Sequence, residues 1–295
     1  MAEKLLEAVI KTLSYSDVFD YPLTIDEIKK YLIGFSLAEK NWKQTLSEVL
    51  KATDFIGEKR GFYFLKNRQK IISVRQKKKG ISVKKKLYAE KVAGLLFRIK
   101  TVKMVAVTGS LALFSSGVKD DIDFLIVTEK NRIWITRFFC VILLKFLGIY
   151  RAPGIKKAPD KICLNMFLDE DNLLLPEKER DLYSAHEIVQ MKPLYTKYGF
   201  ENIMLNKNPW VRKFLPNAVS HKGSSLTSMS RWHLDIIGKF GGFFETIFRV
   251  FQLYYMRHRR TNEVIRKGYL RFHPYDARTK IISSYKKRIK KYENP

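Results

Sequence analysis

The sequence predicts an α+β protein, with a short mixed sheet and helices at its centre, a small helical unit before it and a helical, basic region after it. Three observations carry this. Residues 101–190 alternate short apolar runs with segments of helical period. Residues 1–66 contain three helix-like segments and one pair of short apolar runs around a charged turn. Beyond residue 196 the apolar spacing is mostly helical. With 295 residues and 46% hydrophobic content, the chain has length for about two domains and enough apolar side chains for a real core.

The first unit, 1–66, opens with a helical pattern at Lys4–Leu13. In "YPLTIDEIKKYL", Thr24 and Glu27 have capping-box spacing and Pro22 breaks the chain just before them. Ser36 is placed to cap a third helix, "LAEKNWKQTLSEVLK", with Leu37, Trp42, Leu46 and Leu50 near one face. "FIGEKRGFYFL" then reads as a β-hairpin. Three helices and a hairpin form a winged-helix-like arrangement, in which the third helix either enters a DNA major groove or makes protein contacts. Residues 67–100 are a basic connector whose many Lys and Arg face Glu90 alone. Its second half, 82–99, is expected as a helix with Leu87, Val92, Leu95 and Leu96 as the buried stripe. The one-sided charge predicts a phosphate-backbone footprint rather than a solvated linker.

The central unit, 101–195, reads as follows. "VKMVAV" is a buried strand, and the turn Thr108-Gly109-Ser110 opens a short helix at Leu111–Phe114. "DIDFLIV" is the next strand. "NRIWITRFFCVILLKFLG" is a helix capped near Asn131 and ended by Gly148. "KICLNMFL" is a third strand, and Glu177–Gln190 a helix carrying His186-Glu187 on its surface. In the remaining region, 196–295, helices are expected at Asn208–Phe214, Arg231–Arg260 and Asp276–Lys291.

Lys and Arg number 56 against 29 Asp and Glu, a net charge of +27. This excess implies an anionic partner, nucleic acid (RNA or DNA) first and an anionic membrane surface second. Cys140 and Cys163 sit among apolar neighbours without metal-type spacing and read as buried free thiols of a reducing cytoplasm. Glu3 and Glu7 interrupt the N-terminus, which does not resemble a signal peptide. Charged residues also interrupt 133–150 and 234–256, so no transmembrane segment is expected. A peripheral membrane contact through Leu234–Met256 and the Arg257–Arg260 cluster is the third-ranked reading.

The chemistry concentrates in "VTGSLALFSSGVKDDIDFLIV". Asp121 and Asp123 are two residues apart on an apolar strand and share a face, while Asp120 points to the other. Two like charges there need an offset, which a divalent cation supplies. Mg²⁺ takes one or two carboxylates plus phosphate oxygens. Gly109 admits close backbone approach, Ser110 offers a hydroxyl, and the N–H groups opening the helix at Leu111 point towards an anion. Metal and triphosphate ligands therefore share one stretch.

A Gly-Ser turn followed by Asp-x-Asp on a second strand resembles the signature of the nucleotidyltransferases of the DNA polymerase beta superfamily. The likeness covers about residues 101–170. It implies that Gly109, Ser110 and Leu111 contact a nucleoside triphosphate (NTP), and that Asp121 and Asp123 hold Mg²⁺ (or Mn²⁺) and act catalytically. It also implies a metal-dependent enzyme moving a nucleoside monophosphate to an acceptor, which the charge suggests is nucleic acid. One position departs from the pattern: where the family places a third carboxylate, the neighbouring strand has Asn165. Three outcomes are open: Asn165 serves as it stands, Asp169 or Glu170 at the strand end replaces the acid, or the domain binds nucleotide without turnover. A non-catalytic nucleotide- or nucleic-acid-binding regulator is thus one alternative, and nucleotidylation of a small molecule or protein another.

Overall fold

The computed structural model describes residues 2–37, 40–155, 158–218, 238–257, 263–272 and 277–293, with nothing described of the side chains of 238–241 and 293. The first unit contains α1 (Ala2–Asp17), α2 (Ile25–Tyr31), α3 (Trp42–Lys51) and the antiparallel hairpin β1 (Ile56–Lys59) and β2 (Phe62–Leu65). The Thr24–Glu27 capping box opens α2 as the spacing requires. The third helix starts later than expected: its N-cap is Asn41 in the left-handed region, not Ser36. A bridge from Leu23 to Tyr63 ties the hairpin to the loop before α2.

The basic connector is a single 27-residue helix, α4 (Ile71–Phe97). Its buried stripe is Ser82, Lys85, Ala89, Val92, Ala93 and Leu96, so Leu87 and Leu95 face outward, contrary to the sequence reading. The stripe is made of small residues, which let the helix lie close to the sheet, and Lys85 is tolerated inside it because it has partners. Its ammonium group donates to the carbonyls of Val118 and Asp120 and pairs with Asp160 at 3.1 Å. Several other connector cations are also paired. Arg68 binds Asp17 and Asp20, and Arg75 makes a two-pronged contact with Glu27 over the ring of Tyr21.

The centre is α+β. In chain order it contains β3 (Val102–Val107), α5 (Gly109–Ala112), β4 (Ile122–Thr128), α6 (Ile133–Phe146), β5 (Ile162–Asp169), α7 (Leu182–Gln190), β6 (Lys192–Thr196), α8 (Phe200–Lys207) and α9 (Val211–Phe214). Three further elements follow: α10 (Gly238–Met256), the hairpin β7 (Val264–Arg266) with β8 (Tyr269–Arg271), and α11 (Ala277–Glu293). The six-stranded sheet has the order β6-β3-β4-β5-β8-β7. Only β4 and β5 run parallel, joined through α6; the other neighbours are antiparallel.

The region after 196 is therefore not wholly helical. "VIRKGYLR" turns back at Lys267-Gly268 and adds two strands to the edge of β5. Gly268 is obligatory there: its φ is +68°, and a Cβ would come within 2.2 Å of the Asn172 side chain and 2.6 Å of Asp169 Oδ2. The expected helix at Glu177–Gln190 is broken, because the Asp181 carboxylate accepts from Ser184 N–H and caps a new helix. Of the long helix expected at Arg231–Arg260, Gly238–Met256 is described; 219–237 and 258–262 lie outside the described residues.

One apolar cluster packs on each face of the sheet. Val105, Val107, Ile122, Phe124, Ile126, Ile162, Leu164 and Phe167 face α4 and α6. Met104, Ala106, Leu125, Val127 and Leu168 face α7, α8, α9 and α11 together with the first unit. The first unit thus shares its core with the sheet. Asp17 of α1 binds Arg288 of α11 at 2.7 Å, and Tyr15 stacks on His186 of α7 at 4.1 Å.

Candidate active site

Strand alternation decides where the acids lie. Ile122, Phe124 and Ile126 face the α6 side, so Asp121 and Asp123 share the opposite face with Leu125 and Val127, as the spacing predicts. Asp120 turns away and accepts from Gly117 N–H at 2.7 Å.

The Gly109-Ser110 turn meets this pair. Thr108 N–H donates to the Asp123 carbonyl at 3.0 Å, locking the turn to the strand. Gly109 has a φ of +60°, and a Cβ there would lie 3.0 Å from Asp123 Oδ2. The glycine is required both by backbone conformation and by the carboxylate beside it. The following helix is α5, two residues earlier than expected at its start, with Leu111 buried. Leu111 thus contributes its backbone at the turn while its side chain belongs to the core.

The sequence missed three residues of this site. Cys163 stands directly opposite Asp123 in the β4–β5 ladder, and ligand atoms of Asp121, Asp123 and Cys163 all lie within 4.8 Å of one another. Arg151 Nη1 is 2.7 Å from Asp121 Oδ2 and donates to Cys163 Sγ at 3.4 Å. The Arg151 guanidinium is anchored by two bonds to the Ile155 carbonyl. It supplies the positive charge that the paired carboxylates need. Even so, burial and the neighbouring Asp121 push the Asp123 carboxyl well above the usual range, with Arg151 opposing them. The third is Glu187, whose carboxyl is pushed up to about 7 by burial and then by Asp123, against the pull of Arg271. Glu187 therefore lies within the field of the acid pair, not on a free surface as expected. His186 is buried too, and burial lowers its pKa to about 3.

The candidates for a third acid separate clearly. Asn165 is the unmatched residue of a bulge, since Phe124 pairs with Leu164 and Leu125 with Met166. It is buried, and its Oδ1 has no hydrogen-bond partner among the described residues. Asp169 pairs with Thr128, five ladder steps from Asp123, roughly 16 Å along the strand. It holds the β8 corner through Asp171 N–H and the Asn172 amide. Glu170 accepts from Lys130 N–H at the same far end. Neither substitutes for the third carboxylate. Glu187, on helix α7 instead of the neighbouring strand, is an acid whose carboxyl feels the charge of Asp123.

Among family models, curated proteins and solved structures, none matches the chain.

Unpartnered polar atoms collect around the acids. Among the described residues, Thr108 Oγ1 and Asn165 Oδ1 are buried without hydrogen-bond partners, as is Nε of Arg271, the strand partner of Met166. Buried polar atoms of this kind ordinarily meet water, an ion or a ligand. Two carboxylates with a close glycine turn fit a hard divalent cation completed by phosphate oxygens. The Cys163 thiol does not: burial and Asp123 raise its pKa, keeping it neutral, and neutral sulfur is a poor partner for Mg²⁺. Arg137 lies on the opposite side of the sheet from the acid pair. It is buried on the α6 side of the sheet with Phe272 against its guanidinium.

Proposed function

We propose that the chain is a metal-dependent nucleotidyltransferase, transferring a nucleoside monophosphate from an NTP at Asp121 and Asp123. The observation that carries this reading is the approach of the Gly109 backbone to the Asp123 carboxylate, which brings a phosphate-binding turn and a metal-binding pair into contact. A bound Mg²⁺ or Mn²⁺ would neutralise the acids and the triphosphate. Gly109 and Ser110 hold phosphate oxygens, and Arg151 balances charge between Asp121 and Cys163. Glu187 sits within the same field and is the group available to take a proton from an acceptor, since its raised pKa lies near neutrality. The first unit, with three helices and a hairpin, supports a winged-helix-like reading. Exposed Lys70, Lys77, Lys79, Lys84 and Lys91 on and beside α4 support a nucleic-acid acceptor on charge.

The test is transfer from labelled NTPs with Mg²⁺ or Mn²⁺ onto RNA, DNA, protein and small-molecule acceptors. Asp121→Ala with Asp123→Ala abolishes transfer if the reading holds. Unchanged transfer in that double variant removes the site assignment. Nucleotide binding with no product on any acceptor favours the regulatory alternative.

A further inference from the structure

A cavity of about 740 Å³ lies on the other side of Arg151, between α6, α10 and the first half of β5. The β5–β8 ladder pairs only Met166–Leu168, so Cys163 and Leu164 occupy a stretch of strand edge that β8 leaves uncovered, and both line the cavity. Its size falls within the range of about 300–1,000 Å³ typical of small-molecule sites. Its walls are mostly apolar, with Phe138, Val141, Leu164, Phe251 and Phe272 among them. Three cations, Arg137, Lys145 and Arg151, face it against one acid, Glu263.

Arg137 is the informative one. It is 9% exposed, donates to Gln252 and lies over the Phe272 ring, yet among the described residues its Nε has no partner. A buried guanidinium with a free donor on an apolar cavity wall calls for an acceptor from a ligand. The mouth points the same way. Ile142, Phe251 and Tyr255 line the cavity and are each about half exposed. Around them Phe139, Phe146, Ile247 and Val250 are exposed, with Phe146 at 87%, and Lys145 and Arg249 are exposed among them. A small polar anion would need neither the apolar walls nor the apolar rim.

We propose that this cavity binds an anionic amphiphile, with its hydrocarbon chain along α6 and α10 and its anionic head at Arg137 and Arg151. The binding does not depend on the nucleotidyltransferase reading. If that reading also holds, the head group lies beside Asp121 through Arg151, which touches both. The anionic amphiphile could come from a bilayer or from solution, and the assay separates the two sources.

The probe is short-chain phosphatidylglycerol below its micelle concentration, titrated into metal-free protein and read by native mass spectrometry and calorimetry. Short-chain phosphatidylcholine and glycerol phosphate serve as controls. One lipid per chain is expected, with phosphatidylglycerol preferred over phosphatidylcholine and no binding of glycerol phosphate. Ile142→Trp fills the mouth at a half-exposed position without disturbing the core, and Arg137→Gln removes the buried cation. Each is expected to weaken binding by about tenfold or more. Circular dichroism melts verify that both variants are folded, and Ile142→Trp alone decides the matter if Arg137→Gln is not. Asp121→Ala with Asp123→Ala is expected to bind the lipid normally even where transfer is lost. No binding of monomeric lipid, or undiminished binding by Ile142→Trp, overturns the proposal. So does attachment only to phosphatidylglycerol vesicles that Ile142→Trp leaves intact, because that outcome assigns the exposed rim to a membrane surface and leaves the cavity without a ligand.

Discussion

The two faces of the sheet are covered in opposite ways. On the α7 side the first unit, α8, α9 and α11 close over the sheet, and several buried polar side chains there have specific partners. Asp17 holds both Arg68 and Arg288, and His186 stacks on Tyr15. On the α6 side the inner layer is equally apolar, but α10 leaves a row of aromatic residues facing outward. The carboxylate pair belongs to the closed face, and the cavity to the open one. Arg151 is the residue that touches both. The two sides of one sheet thus differ in how fully they are covered, and substitutions on them should behave differently.

The largest expected effect comes from His186 on the closed face. Its pKa falls from 6.5 to about 3 because burial disfavours the charged form. The unfolded chain therefore binds a proton at pH values where the folded chain does not. Stability is fully present above pH 6.5 and is lost as pH falls towards 3. Between pH 6.5 and 5 the loss is about 2 kcal/mol, and it continues below that. Urea titrations should show this slope in the wild type and a shallower one in His186→Phe. An equal slope would mean that the closed face admits protons.

Asp17→Ala comes next. It leaves Arg68 and Arg288 without their shared carboxylate, and destabilisation of about 2–3 kcal/mol is expected, moderated because both arginines are partly exposed. Glu187 works in the reverse direction. Its pKa is raised to about 7, so the stability of its protonated form is fully present below 4.5 and lost as pH rises through 7. Glu187→Gln, measured in EDTA, should stabilise the protein by about 1–3 kcal/mol at pH 8 and change nothing at pH 4. Gly109→Ala should cost about 1–2 kcal/mol for its left-handed backbone, and on the proposed metal-site reading it should weaken Mn²⁺ binding by crowding Asp123. The smallest effect belongs to the open face. Phe146→Ser should change stability by no more than about 0.5 kcal/mol while reducing self-association seen by light scattering. A large loss there would show that the open face is structural after all.

Local chemistry made much of this fold legible. The capping box at Thr24, the two-residue spacing of Asp121 and Asp123, and the glycine before them each carry their own signal. The parts that were not legible depend on distant partners. Three-residue strands such as β7 and β8 have no periodicity to read, and exist because β5 offers an edge. Cys163 reads correctly as a buried thiol, but its place opposite Asp123 is set by the parallel register. Glu187 looks like any helix-surface acid until the first unit is packed over α7. The bulge at Asn165 shifts the alternation of β5 midway, so residues beyond it no longer face where a regular strand would put them. In helix α4 two residues of the expected stripe, Leu87 and Leu95, turn outward, because Ser82, Lys85, Ala89 and Ala93 pack inward beside Val92 and Leu96.

No described helix is long and apolar enough to cross a membrane.

The late hairpin has a consequence for how the chain is made. Arg271 pairs with Met166, so about a hundred residues must leave the ribosome after β5 before β8 can cover it. During that interval Met166–Leu168 present an unpaired edge that other nascent chains can use. The Gly268 turn sets how quickly the edge is closed once its residues emerge. A substitution there would strain the finished corner and should also lower the yield of soluble protein made at high expression rates.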